Sequence, residues 1–114
     1  MIAAGTLDTY RAQRDGGASA EQVYAQGFHD GLNWYDRLDV LETLFPQADA
    51  TLRDVAVAGH RLACARYLAL HQGGESLAAI AQRLQADGFS RLEAVFTLHA
   101  LFGLRGPEAM RLLG

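Results

Sequence analysis

"DATLRDVAVAGHRLACARYLALHQGG", residues 49–74, is the stretch on which the fold turns. It holds no Pro and no apolar–polar alternation, and at about 100° per residue its apolar positions gather as they do on a helix. Leu52, Val55, Ala56, Leu62, Ala63 and Leu70 cover one side, with Val57 and Leu68 well round from them. Only the strip through Asp54, Arg61 and Gln72 stays polar. A helix apolar over most of its circumference is one enclosed by neighbours. Asp49 is placed to cap it and Gly73-Gly74 to end it. The expectation is a buried central helix over about 50–72.

On both sides the periodicity stays helical. A short helix over Leu7–Arg14 closes at Gly16-Gly17; Ser19, with Gln22 three residues on, starts a second that carries Val23, Tyr24 and Phe28 and is interrupted by Gly27 and Gly31. A third runs from Asn33 to Phe45 and stops at Pro46. Beyond residue 74, Ser76 opens a helix with Leu77, Ile80, Ala81 and Leu84 on one face and Gly88 at its end. Ser90 and Glu93 open another that reaches Phe102, and Pro107 begins a last one to Leu113. There is no repeat and no linker. The fold class expected is all-α: residues 1–114 as one compact single-domain bundle of six to seven helices around 50–72, with 76–113 as a three-helix subregion.

The chain has 114 residues, enough for one modest core. Its apolar runs fall well short of the ~20 residues of a membrane span, and its first residues lack the basic lead of a secretion signal. Cys64 is the single cysteine, so no internal disulfide forms; these features together point to the cytoplasm. Residues 1–54 carry nine acids and four Arg, whereas 55–114 carry four acids and six Arg. An acidic front half disfavours nucleic acid, whose phosphates call for clustered positive charge.

Four places carry possible chemistry. His60, Cys64, Tyr67 and His71 recur along one helical stripe, and a His and a Cys four apart can share a zinc ion. A structural zinc wants four ligands, and no second pair completes the set, so the stripe reads as a semi-buried seam, with His60, Cys64 and His71 the residual metal candidates. His99 lies among Leu92, Val95, Phe96 and Phe102 and is expected in the core with Phe96. His29-Asp30 resembles the metal-ligating dipeptide of phosphohydrolases, without their further ligands. Cys64 as a nucleophile would have His60 near enough as a base, but the packed surroundings argue against it, and no phosphate-cradling Gly loop stands out; neither an enzyme nor a cofactor is expected.

The fourth place is HDGLNWYDRLDVLETLFP, residues 29–46. On its helix, Trp34, Leu38, Leu41 and Phe45 form a stripe expected to face the core, while Tyr35, Asp36, Asp39 and Glu42 take the sector beside and opposite it. Acids three apart repel by about 0.2–0.5 kcal/mol per pair. Asp36, in the first turn, is favoured by the helix dipole; Asp39 and Glu42 are not. An acidic face bearing a Tyr is suited to a basic protein surface, which charge steers and an aromatic anchors.

GFSRLEAVFTLHALFGL, residues 88–104, with EAMRLL, 108–113, resembles the helical part of the C-terminal domain of the ribosomal stalk protein. Gly103, Leu104, Glu108, Ala109, Leu112 and Leu113 fall in that register, but Phe96 and Met110 stand where the family's factor-binding Lys residues are expected. The same segment resembles a ubiquitin-associated three-helix module, with Gly88-Phe89 in the loop position. The whole chain resembles small bacterial immunity-type proteins, which implies an inhibitor of a toxin or effector. The function expected is therefore a protein-binding inhibitor, most simply an immunity protein that uses Tyr35, Asp36, Asp39 and Glu42 against a basic partner. The alternatives are a metal- or small-ligand-binding helical protein using the His60/Cys64/His71 stripe, and a module that self-associates through Leu98, Leu101 and Leu104. Composition leaves the oligomeric state open.

Overall fold

Five helices start where a side-chain oxygen turns back onto the backbone N–H three residues on, Thr51 with Asp54 being one such pair. Ser19 takes the N–H of Gln22, whose side chain in turn accepts from the Ser19 N–H; Asn33, Ser76 and Ser90 cap in the same sense with Asp36, Ala79 and Glu93. Each oxygen satisfies an N–H that the first turn leaves without a helical partner. The commonest stop is equally local. Gly17 and Gly88 adopt φ of 104° and 91°, which lets the next residue, Ala18 or Phe89, donate its N–H to the carbonyl five residues back.

The computed structural model describes residues 4–46 and 51–114. Among them lie eight helices and no strand: α1 (Ala4–Asp15), α2 (Ala20–His29), α3 (Trp34–Leu44), α4 (Leu52–Ala63), α5 (Ala65–Gln72), α6 (Leu77–Ala86), α7 (Arg91–Phe102) and α8 (Gly106–Leu113). The all-α class is as the sequence indicates. The eighth helix arises because the expected 50–72 helix is two. Cys64 leaves helical geometry at φ −111°, ψ 24°, and the Tyr67 N–H closes a tighter turn onto its carbonyl. Nor is that segment enclosed on all sides. On α4 only Val55, Ala56, Gly59 and His60 are buried and Leu62 is 55% exposed, while on α5 only Tyr67 is buried. Much of the apolar circumference was alanine and glycine, which gain little from burial, so each half turns one face inward. The proposed Asp49 cap lies outside the described residues; at the start of α4 the Thr51 hydroxyl accepts from the Asp54 N–H.

The chain divides into two compact units, Met1–Ala63 and Cys64–Gly114. In the first, α2 lies along α4, and α1 and α3 pack on α2. Tyr10, Val23, Val40 and Leu44 form a core cluster with Leu7, Ala18, Leu32 and Phe45 around it. Gly59 makes the α2–α4 approach possible, since a Cβ there would stand 2.5 Å from Cδ1 of Tyr24. Gly27 does not interrupt α2; it is buried where a Cβ would press on Leu32 and Arg37.

In the second unit α6 contacts α5, α7 and α8, and its Ile80, Ala81 and Leu84 are fully buried. Ala94, Thr97, Leu98, Ala100 and Leu101 of α7 and Ala109 and Leu113 of α8 complete the interior. Phe96 and His99, expected there, are only half-buried, and Leu92 is 59% exposed. The wheel of α7 is apolar nearly all round, so periodicity did not single out the face that its neighbours cover.

Candidate functional site

The inner face of α3 decides what its outer face presents. Buried on α3 are Arg37, Val40, Leu41 and Leu44, at i, i+3, i+4 and i+7. This corrects the expected stripe: Leu41 belongs to it, but Trp34, Leu38 and Phe45 are half-buried and flank it. Arg37 is the unexpected member. Its side chain is 2% exposed, Nη1 donates to the Leu32 carbonyl at 2.7 Å, and the guanidinium lies 5.0, 5.2 and 6.0 Å from the ring centres of Tyr24, Phe28 and Trp34. A cation held over aromatic faces gains about 0.5–2 kcal/mol per ring, more where water is excluded. Arg37 therefore clasps α3 to α2 by charge and stacking as well as by apolar contact.

Beside it His60, with no exposed surface, shares a 2.9 Å hydrogen bond between Nδ1 and the Tyr24 hydroxyl and meets the edge of Phe28 at 5.4 Å. Burial, and then the neighbouring Arg37 charge, push its pKa down to about 3. His60 is thus a neutral strut within a buried polar pair. Tyr10 is tied similarly: its hydroxyl donates to Asp30 at 2.7 Å, a bond that, with Gln26, holds the Asp30 carboxyl below the usual range. That is the role the structure shows for Asp30 of the His29-Asp30 dipeptide.

With α3 clasped in this way, Tyr35, Asp39 and Glu42 point outward. Tyr35 is 70% exposed, the most exposed large hydrophobic described. Asp39 and Glu42 are exposed and, among the described residues, make no hydrogen bond or ion pair. Asp36 is half-buried at the N-terminal turn, where the Asn33 side chain takes its N–H. Three of the four residues expected at the site are therefore exposed on α3, and the fourth, Asp36, is half-buried at its start.

Cys64 is buried at the helix break. In the second unit the Tyr67 hydroxyl donates to Asp87 and receives Arg66, whose guanidinium lies 4.5 Å from the Tyr67 ring; burial and the Asp87 bond raise the phenol to about 12. His71 is exposed, pairs its Nδ1 with the Glu75 carbonyl at 2.8 Å and meets the Phe102 edge. Among the described residues, no three His, Cys, Asp or Glu side chains cluster as a metal site would. Leu98 and Leu101, proposed for self-association, are buried within the second unit, and Leu104 is half-buried. No described helix is long and apolar enough to cross a membrane. No family model, curated protein or solved structure matches the chain.

Two features escaped the sequence reading. Arg37 lies three, four and seven residues before Val40, Leu41 and Leu44, a spacing that marks an inward position, but a charge there is ordinarily read as exposed. The second is a groove beside Glu42, assembled from α2, α3 and α4, for which no local pattern exists.

Proposed function

We propose that this protein binds another protein through the outer face of α3, and that it acts as an immunity-type inhibitor in the cytoplasm, covering a basic surface of a toxin or effector. The observation that carries the reading is Tyr35, 70% exposed on the same face as Asp39 and Glu42, two carboxylates that no described cation neutralises. A folded domain gains nothing from this arrangement. The acids repel each other, and in the later turns of α3 they face the negative end of the helix dipole. A cationic partner turns both costs into attraction, and a tyrosine beside them supplies a large contact at little entropic cost. The toxin-directed form of the proposal rests on the resemblance to immunity-type proteins suggested by the sequence alone.

The test is co-expression with the product of the adjacent gene, read as growth rescue and as binding of the purified pair. Asp39→Arg/Glu42→Arg should slow association and weaken rescue, and wild-type affinity should fall as salt rises toward ~0.5 M, where surface charges are screened within a few ångströms. Tyr35→Ala should act mainly on dissociation. Unchanged binding by a folded double reversal would overturn the proposal.

A further inference from the structure

Next to Glu42 the surface sinks into a groove of about 440 Å³, floored by Leu41 and Phe45 of α3, Leu52 and Val55 of α4, and Ala20 at the start of α2. Binding pockets span roughly 300–1,000 Å³ and are mostly apolar with a few placed polar groups. Here the placed group is Glu42, and Asp39 lies one turn before it on the same helix. The groove also lies at the C-terminal end of α3, where the backbone carbonyls carry the negative end of the dipole and the last turn has no basic residue of its own. Arg14 takes the Leu44 carbonyl at 3.0 Å but also pairs with Asp15, leaving Glu42 uncompensated. An apolar floor under a negative rim calls for an occupant of matching character: a large apolar side chain next to a cation.

We propose, resting on the reading that α3 faces a basic protein, that this groove is where the partner's chain seats. A leucine-, methionine- or phenylalanine-sized side chain of the partner fills the floor over Leu41, Leu52 and Val55. An arginine or lysine beside it reaches Glu42 and Asp39. Tyr35, nearer the start of α3, extends the same contact. The groove supplies the apolar anchor and the acids supply orientation.

The probe is a short synthetic peptide with one leucine between two arginines, titrated into the full-length protein and followed by backbone amide NMR. Saturable shifts are expected in residues 41–45 and 52–56. Replacing the peptide leucine by alanine should weaken binding roughly fivefold to tenfold, the scale of a partly buried apolar side chain. Ala20→Phe, which adds bulk to the groove wall without opening a cavity, should remove the shifts. Glu42→Gln, which leaves the groove shape intact, should weaken binding and flatten its salt dependence, so the inference remains testable if Ala20→Phe folds poorly. Absence of saturable shifts, shifts elsewhere, or indifference to Glu42→Gln or to a folded Ala20→Phe would overturn it. In the partner assay the two proposals separate: if Asp39→Arg/Glu42→Arg weakens binding and Ala20→Phe does not, the groove falls and the acidic face stands. If neither changes binding, both fall.

Discussion

Replacing Gly59 by alanine tests the tightest contact in the first unit. The added Cβ would lie 2.5 Å from Cδ1 of Tyr24 and 2.9 Å from its Cβ and Cγ. Carbon atoms in contact sit about 3.5–4.0 Å apart, so the overlap is on the order of an ångström with one atom and well over half of that with two others. Tyr24 has little means of yielding. It is 1% exposed, its hydroxyl is bound to His60, and two of the overlapping atoms are close to its own backbone. The relief left is for α2 and α4 to move apart, and overpacking of this kind costs about 1–3 kcal/mol. Alanine returns about 0.5–1 kcal/mol through its better helix propensity. The net expectation is a loss of about 1–2 kcal/mol, a drop of roughly 5–10 °C in Tm for a domain of this size. Urea and thermal melts of Gly59→Ala beside Gly5→Ala make the comparison internal. Gly5 is also helical but has nothing within 4 Å of its would-be Cβ, so the same substitution there should be neutral or stabilising. A Gly59→Ala protein as stable as wild type would refute the close approach of α2 to α4.

The His60 imidazole, with its pKa pushed down to about 3, stays neutral in the native state, while in the unfolded chain it takes a proton below about 6.5. Stability contributed by His60 is therefore lost as pH falls through that window: about 2 kcal/mol between about pH 7 and about pH 5, measured by urea unfolding. His60→Gln should flatten that slope, and an unchanged slope would refute the assignment. Arg37→Lys should destabilise by about 1–3 kcal/mol in the same assay, because an ammonium neither stacks between aromatic rings nor keeps the guanidinium geometry toward Leu32. In the second unit Ile80→Ala, at a side chain with no exposed surface, should cost about 2–5 kcal/mol, and Phe96→Ala, half-buried, less than the ~3–5 kcal/mol of a fully buried ring. A Phe96→Ala loss as large as the ~3–5 kcal/mol of a fully buried ring would place Phe96 in the interior after all.

What the sequence made legible, and what it hid, follows the range of the interaction responsible. Helix starts at Ser19, Asn33, Ser76 and Ser90 were readable because a cap is a contact over three residues, and the stops at Gly17, Gly74 and Gly88 because they depend on one residue's φ. The break at Cys64 was not, since Leu62-Ala63-Cys64-Ala65 contains no breaker and no cap. The exposure of Tyr35, Asp39 and Glu42 was legible because carboxylates resist burial and fix the outer side of α3. Arg37 was hidden, because what makes its burial tolerable is a ring of aromatics that includes Tyr24 and Phe28 of another helix. The groove was hidden for the same reason, as Ala20 and Val55 meet only in the folded chain.

The interruption at Cys64 also turns a structural detail into a reporter. The chain has one thiol; it is 1% exposed and is the first residue of the second unit, at the point where α4 gives way to α5. A sulfhydryl reagent reaches such a group only during excursions that uncover it. The labelling rate of the unaltered protein thus counts local openings of the turn at Cys64, with no engineered label and no competing cysteine. Compared with amide exchange inside α6, it tells whether the turn at Cys64 opens on its own or only when the second unit unfolds.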